Sequence, residues 1–166
     1  MSYVPLARKY RPQTFHDLVG QDSIAKALIN SVKLNRVPAG IIFSGIRGTG
    51  KTTLARLYSK ILNCEAPAVN RPCSQCVSCK SIASGHHEDV LEIDGASHNG
   101  VDEIRSLQET VSFVPQRSAY KIYIIDEVHM LSTSAFNALL KTLEETPPQV
   151  LFIFSTTELQ KIPQTV

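Results

Sequence analysis

A parallel β-sheet with helices packed on both faces is the fold class that this 166-residue chain predicts. Three observations predict it. Three short, continuous apolar runs, "AGIIFSG" (39–45), "YKIYIIDEVHML" (120–131) and "QVLFIFSTT" (149–157), read as buried strands, and "DVLEID" (89–94) is a fourth strand candidate. The segments between them carry apolar residues at helical spacing. Strand and helix alternate along the chain, which makes right-handed βαβ crossovers the economical topology.

The elements follow in order. Ile24, Leu28 and Val32, with Ala25 and Ile29 beside them, predict a first helix over about 21–34. After the strand at 39–45, "KTTLARLYSKIL" places Leu54, Leu57, Tyr58 and Ile61 on one helical face. The stretch 64–79 is loop-like, contains proline and reads as an insertion within the domain. The strand at 89–94 leads to "GVDEIRSLQETVSFV", whose Val101, Ile104, Leu107, Val111 and Val114 form one stripe, with Asp102 and Glu103 suited to the positive end of a helix dipole. The strand at 120–131 carries two acids near its end. "STSAFNALLKTLEET" opens on a Ser or Thr cap, spaces Phe136, Leu139, Leu140 and Leu143 helically, and is stopped by Pro147 and Pro148. The run 149–157 is the last strand.

Composition bounds the rest. A chain that is 43% hydrophobic and 19% charged can bury one substantial core, so a single domain over 1–166 is expected. A net charge of +2 announces no global field for nucleic acid. The N-terminus lacks the apolar run of a signal peptide, and no stretch reaches the ~18 apolar residues of a membrane helix. A soluble cytoplasmic protein with reduced thiols is expected.

"GIRGTGKT" (Gly45, Ile46, Arg47, Gly48, Thr49, Gly50, Lys51, Thr52) matches G-x-x-x-x-G-K-[ST] at every fixed position, between a predicted strand and a predicted helix. A polyphosphate needs several backbone N–H groups converging on it, and glycines such as Gly48 and Gly50 allow that approach. Lys51 is expected to reach the β- and γ-phosphates, Thr52 to ligate Mg²⁺ and Thr53 to add its amide, at the positive end of the helix. Asp126, at the tip of a buried strand, is expected to support the Mg²⁺, and Glu127 to polarise the attacking water. Thr157, at the tip of the last strand, is the candidate sensor of the γ-phosphate.

All four cysteines lie within sixteen positions: Cys64, then Cys73, Cys76 and Cys79 in C-x2-C-x2-C spacing. Four soft ligands with no open position fit a structural, tetrahedral Zn²⁺ site. Disulfides, an iron–sulfur cluster and unligated thiols remain alternatives. His86 and His87 read as a solvated loop pair, since four thiolates already close the shell, and His98 and His129 carry no motif.

Taken together, "LARKYRPQTFHDLVGQ" (6–21), the phosphate loop, the four cysteines, "IDEVHMLSTSAFNALLKTLEE" (125–145) and "STTELQKIP" (155–163) resemble the gamma/tau family of bacterial DNA polymerase III, the clamp-loader branch of the AAA+ ATPases. The resemblance spans essentially the whole chain. It implies a P-loop NTPase core of the AAA+ kind, with a five-stranded sheet in the order 5-1-4-3-2. It implies ATP as the ligand, with Ala7, Tyr10, Arg11, Pro12 and Val19 around the adenine, and zinc in an inserted module at about 64–79. It also implies a hetero-pentamer with other clamp-loader subunits, a sliding clamp and primer–template DNA as partners, membership of the DNA-directed DNA polymerase holoenzyme, and Arg105 as a candidate DNA contact. The family's Ser-Arg-Cys motif, helical lid and collar would follow Val166, so this chain is expected to be a fragment that hydrolyses ATP weakly without the arginine supplied in trans.

Two readings compete with an ATPase. One is a nucleotide-gated binding module with little hydrolysis of its own, for which Glu127 would have little use. The other is a zinc-dependent DNA-binding domain, which is disfavoured because Arg71 is the sole basic residue between Cys64 and Cys79 and is offset by Glu65.

Overall fold

A computed structural model describes residues 6–163, without the side chains of Ala7 and Arg8. In chain order the elements are α1 (Leu6–Lys9), α2 (Asp22–Lys33), β1 (Gly40–Ser44), α3 (Lys51–Asn63), α4 (Val77–Ser84), β2 (Val90–Asp94), α5 (Val101–Val111), β3 (Lys121–Asp126), α6 (Thr133–Glu144) and β4 (Val150–Thr156), with short 3₁₀ turns between some of them. The strands pair in parallel, in the order β1-β4-β3-β2. This agrees with the expected 1-4-3-2 portion. The fifth strand expected beside β1 is not among the described residues.

Strand alternation divides the core between two faces. Ile122 and Ile124 of β3, with Leu151 and Ile153 of β4, pack under α2, α3 and α4, where Leu28, Leu54, Leu57, Tyr58, Ile61 and Ile82 are buried. Tyr123, Ile125, Phe152 and Phe154 face the other way, against Ile104, Leu107 and Val111 of α5 and Phe136 and Leu139 of α6. Stacked rings at 5.1 Å (Tyr123 and Phe152) and 6.1 Å (Phe152 and Phe154) fill that second face. A strand buried on both faces can be apolar throughout, which is why these runs do not alternate.

Several boundaries differ from the sequence reading. α5 ends at Val111 rather than continuing to Val114, which is 75% exposed. Pro115 disfavours the helical conformation for the residue before it. β3 stops at Asp126; Glu127 turns the chain with φ 47°, and Val128–Met130 form a 3₁₀ turn rather than more strand. In α2 the buried positions are Ala25 and Leu28, with Ile24 turned outward. The stretch 64–79 is not all loop, since α4 begins at Val77.

The strand starts are pinned by polar anchors. Asn63, the last residue of α3, exchanges two side-chain hydrogen bonds with the backbone of Tyr120 (2.9 and 3.0 Å). Lys121 donates to the Thr110 carbonyl at 2.6 Å, a cation at the negative end of α5. Asp89, 1% exposed, accepts from the amides of Gln116, Arg117 and Ser118 at 2.7–3.0 Å. Burial alone pushes its carboxyl upward, but the donors from Gln116, Arg117 and Ser118 hold it below the ordinary carboxylate value. Its contribution is therefore present above the unfolded-state pKa of ~3.9 and is lost as pH falls through the lower folded value. Asp89→Asn, which puts an amide nitrogen among these donors, is expected to cost ~2–3 kcal/mol at pH 7 in urea unfolding, with the gap to wild type closing in acid.

Candidate functional site

The loop between β1 and α3 wraps tightly because its glycines accept backbone angles that side chains resist. Gly48 and Gly50 sit at φ 88° and 85°, and Gly50 is the residue from which α3 starts. The loop is fastened at both ends. The Gly45 amide donates to the Thr156 carbonyl of β4 (3.2 Å), and the Thr49 hydroxyl donates to the Ile46 carbonyl (2.9 Å). Lys51, 8% exposed, folds back over the loop and donates to the carbonyls of Gly45 (2.8 Å) and Ile46 (3.1 Å). An ammonium has three donors, so this leaves one for an anion seated in the loop.

The tip of β3 meets this loop. The Thr52 hydroxyl donates to Asp126 Oδ2 at 2.6 Å, across 74 residues of sequence. The other carboxylate oxygen, Oδ1, accepts from the Glu127 amide at 3.1 Å. Glu127 lies in the left-handed region, an uncommon position for a side chain that is neither glycine nor asparagine. Gly95 explains how the tip of β2 comes so near: a Cβ there would stand 2.9 Å from the Glu127 carbonyl oxygen and 3.0 Å from that of Asp126.

Thr157 reaches the same place and donates its hydroxyl to Glu127 Oε2 at 3.2 Å. His129 was missed by sequence reasoning. Its ring is 6% exposed, with Nδ1 3.0 Å from Thr156 Oγ1 and 3.4 Å from Glu127 Oε2, and Nε2 3.4 Å from Glu158 Oε1. The available signal was its place two residues beyond the acidic pair, but only the 3₁₀ turn folds it back over Glu127.

These groups open on one cleft of about 1240 Å³, lined by residues 46–53, Asp94, Asp126, Glu127, His129 and Thr157. Its far wall is the N-terminal arm, with Tyr10, Arg11, Pro12, Leu18 and Val19. The expected adenine contacts Tyr10, Arg11, Pro12 and Val19 are thus gathered at one wall, with Val19 94% exposed. The Ala7 side chain lies outside the described residues. Asp17 ties the arm into a turn by accepting from the Gln13 and Thr14 amides (3.0 and 2.8 Å), and those bonds, Thr14's foremost, hold its carboxyl below the usual range. Arg105 lies on the exposed face of α5 and pairs with Asp102 at 3.2 Å, so an acid already engages the candidate DNA contact.

The cysteines form a second centre. The sulfurs of Cys64, Cys73, Cys76 and Cys79 all lie within 4.8 Å of one another. Tetrahedral Zn–S bonds of ~2.3 Å set sulfurs ~3.8 Å apart, so the four thiols are within a small adjustment of that geometry. Amides of Ala66 and Cys73 point at Cys64 Sγ, those of Gln75 and Cys76 at Cys73 Sγ, and that of Cys79 at Cys76 Sγ, at 3.3–3.5 Å. Such donors favour thiolates, and the amides of Gln75 and Cys76 lower the Cys73 thiol to about 6. Burial pushes Cys79 upward. His86 and His87 stay outside this cluster. His87 is not solvated as expected: it is half-buried, bonded to Ser78 and to the Asp89 amide, and burial lowers its pKa. Between Cys64 and the loop lie the thirteen residues of α3, ~20 Å at 1.5 Å per residue, so the two centres are separate.

Comparison with known proteins bears on the family and the fold. The family model described as "DNA polymerase III, delta subunit" matches residues 20–166. The chain is 54% identical to the DNA polymerase III subunit tau of Bacillus subtilis over all 166 residues, which is 30% of that protein. It therefore spans under a third of that relative's length. Among solved structures, a DNA polymerase III gamma subunit-related protein of Thermotoga maritima superposes with a TM-score of 0.60 at 21% identity, over 83% of this chain and 42% of that one. The Thermotoga maritima RuvB Holliday junction branch migration motor gives a TM-score of 0.58 at 16% identity, over 94% and 45%. At such identities the superpositions speak for the fold.

Proposed function

Since the chain belongs to the DNA polymerase III subunit family that includes gamma/tau and has the AAA+ fold, we propose that it is the ATP-binding and ATP-hydrolysing core of a clamp loader. The observation that carries this reading is the 2.6 Å bond from Thr52 to Asp126, which joins the phosphate loop to the strand-end carboxylate. It gathers two hard oxygen atoms beside a lysine at the mouth of a cleft roomy enough for a nucleoside triphosphate.

In this reading the glycine loop and Lys51 bind the β- and γ-phosphates. Thr52 and Asp126 hold Mg²⁺, which supplies charge neutralisation on the phosphate oxygens. Glu127 accepts the proton of the attacking water at its carboxylate, while Thr157 and His129 orient that carboxylate. Tyr10, Arg11, Pro12 and Val19 receive the base. The cysteines hold zinc as a structural ion; a cluster of several iron atoms would space the sulfurs more widely than they stand here.

Residues 1–166 form one nucleotide-binding domain, with the zinc insertion inside it and the lid and collar elsewhere in the full-length protein. Within the polymerase holoenzyme the subunit acts in the cytoplasm with other loader subunits, opening a sliding clamp and leaving it on primed DNA. The relatives' names support the holoenzyme, and no described helix is long and apolar enough to cross a membrane.

The test is nucleotide binding by the full-length protein. Lys51→Ala is expected to weaken ATP about 100-fold, the loss of a charge-assisted contact of ~3 kcal/mol, while leaving the circular dichroism spectrum unchanged. Unaltered affinity would remove Lys51 from the phosphate site.

A further inference from the structure

We propose that the cysteine module also governs the nucleotide cleft, by holding the base-binding arm in place through Lys60, Ser74 and Gln13. This rests on the nucleotide reading above and adds a link between its two separate centres.

Lys60 lies on α3, four residues before Cys64, and is 2% exposed. A buried ammonium needs compensating partners, and this one has three. It donates to the Gln13 carbonyl (3.0 Å), to Gln13 Oε1 (3.1 Å) and to the Ser74 hydroxyl (3.4 Å). Ser74 stands between Cys73 and Cys76 and is held at φ 55°, a conformation serine seldom adopts unaided. Its hydroxyl donates to the same Gln13 carbonyl at 3.1 Å.

Gln13 is the hub of the arm. Its side-chain amide donates to the Arg11 carbonyl (3.0 Å) and its backbone amide to Asp17 (3.0 Å), so fixing Gln13 fixes Arg11 and Pro12, which line the cleft. The electrostatics run the same way. Burial lowers the Lys60 pKa, and Cys79, Asp17, Cys73 and Cys64 oppose that shift. Four thiolates on a divalent cation form a net dianion, so the loaded module is the counter-charge that lets Lys60 stay buried as an ammonium.

When the metal leaves, only the weak contacts of its own amides to sulfur, at 3.3–3.5 Å, hold the 73–76 turn in shape. Ser74 and Lys60 then release Gln13, and the arm loosens. The cleft loses its base wall and keeps its phosphate loop, because Lys51 is bonded to that loop's own carbonyls.

The experiment uses full-length protein, metal-loaded and then stripped by a chelator under reducing conditions. Binding of ATP and of inorganic tripolyphosphate is measured alongside amide hydrogen exchange over residues 13–18. Stripping is expected to weaken ATP about tenfold, to leave tripolyphosphate within about twofold, and to speed exchange in the arm. Lys60→Met in loaded protein should reproduce the ATP loss, with little further change on stripping. Should that variant fail to fold, Ser74→Ala, at a half-exposed position, should show the same pattern at about threefold.

Unchanged ATP affinity and arm exchange after stripping would overturn the proposal. So would a parallel loss of tripolyphosphate, which would mean that the loop itself had collapsed, or protein that carries no metal as purified. Loaded protein that binds neither ligand would instead overturn the nucleotide reading. Arm exchange alone then decides the coupling, with faster exchange supporting it and unchanged exchange overturning it.

Discussion

Glu127→Gln is expected to lower ATP turnover by ~10²–10³-fold in the assembled full-length protein while nucleotide affinity stays within about twofold. The asymmetry follows from where the charge sits. Glu127 makes none of the loop's contacts; its carboxylate is held by the Thr157 hydroxyl at 3.2 Å and lies 3.4 Å from the His129 ring. Glutamine keeps the size and one acceptor oxygen but removes the basicity needed to take a proton from water. Single-turnover phosphate release against equilibrium binding separates the two effects. A joint fall in both would make Glu127 structural. Turnover that is negligible in wild type and untouched by the substitution would favour a nucleotide-gated module over an ATPase. His129→Gln should give a smaller loss, about tenfold, in turnover and not in binding, with a changed pH profile, because it acts on Glu127 rather than on substrate.

The contrast between Glu127 and His129 marks what a sequence can carry. The placement of the phosphate loop, Asp126 and Glu127 is legible because it depends on local spacing: a strand, a tight turn and a helix in fixed order. The four cysteines are legible for the same reason, since C-x2-C spacing is itself the geometry of one turn. His129 is not, because its role depends on a 3₁₀ turn that begins only when Glu127 adopts φ 47°. α4 is hidden by its eight residues, too few to show a period, and by Cys76, whose sulfur caps it by accepting from the Cys79 amide. Lys60 is the clearest case: a lysine on a helix reads as solvated, and only the N-terminal arm and the 73–76 turn meeting above it bury it. The four strands follow from apolar runs, and the ends of α5 and β3 from Pro115 and Glu127, where local backbone preference overrides the hydrophobic pattern.

The other large effect concerns stability. Cys79→Ser, or removal of the metal, is expected to cost the folded state several kcal/mol, ~3–5, and to lower the urea midpoint and melting temperature accordingly. Cys79 is fully buried in the first turn of α4, and Cys64, 3% exposed, directly follows α3. Cys73 and Cys76 belong to the connecting turn, so one bound ion would tie that turn to α3 and α4, which already share apolar contact through Tyr58, Ile61 and Ile82. The sheet has its own core on both faces, which is why unfolding becomes easier rather than complete, unlike a small finger whose whole fold is the metal site. The loss should be concentrated in residues 64–84, where hydrogen exchange would rise first, and elemental analysis should find one zinc per chain. Several iron atoms per chain in its place would revive the cluster alternative. A urea midpoint unmoved by stripping would mean that the thiols, packed under their own amides, hold the segment without a metal.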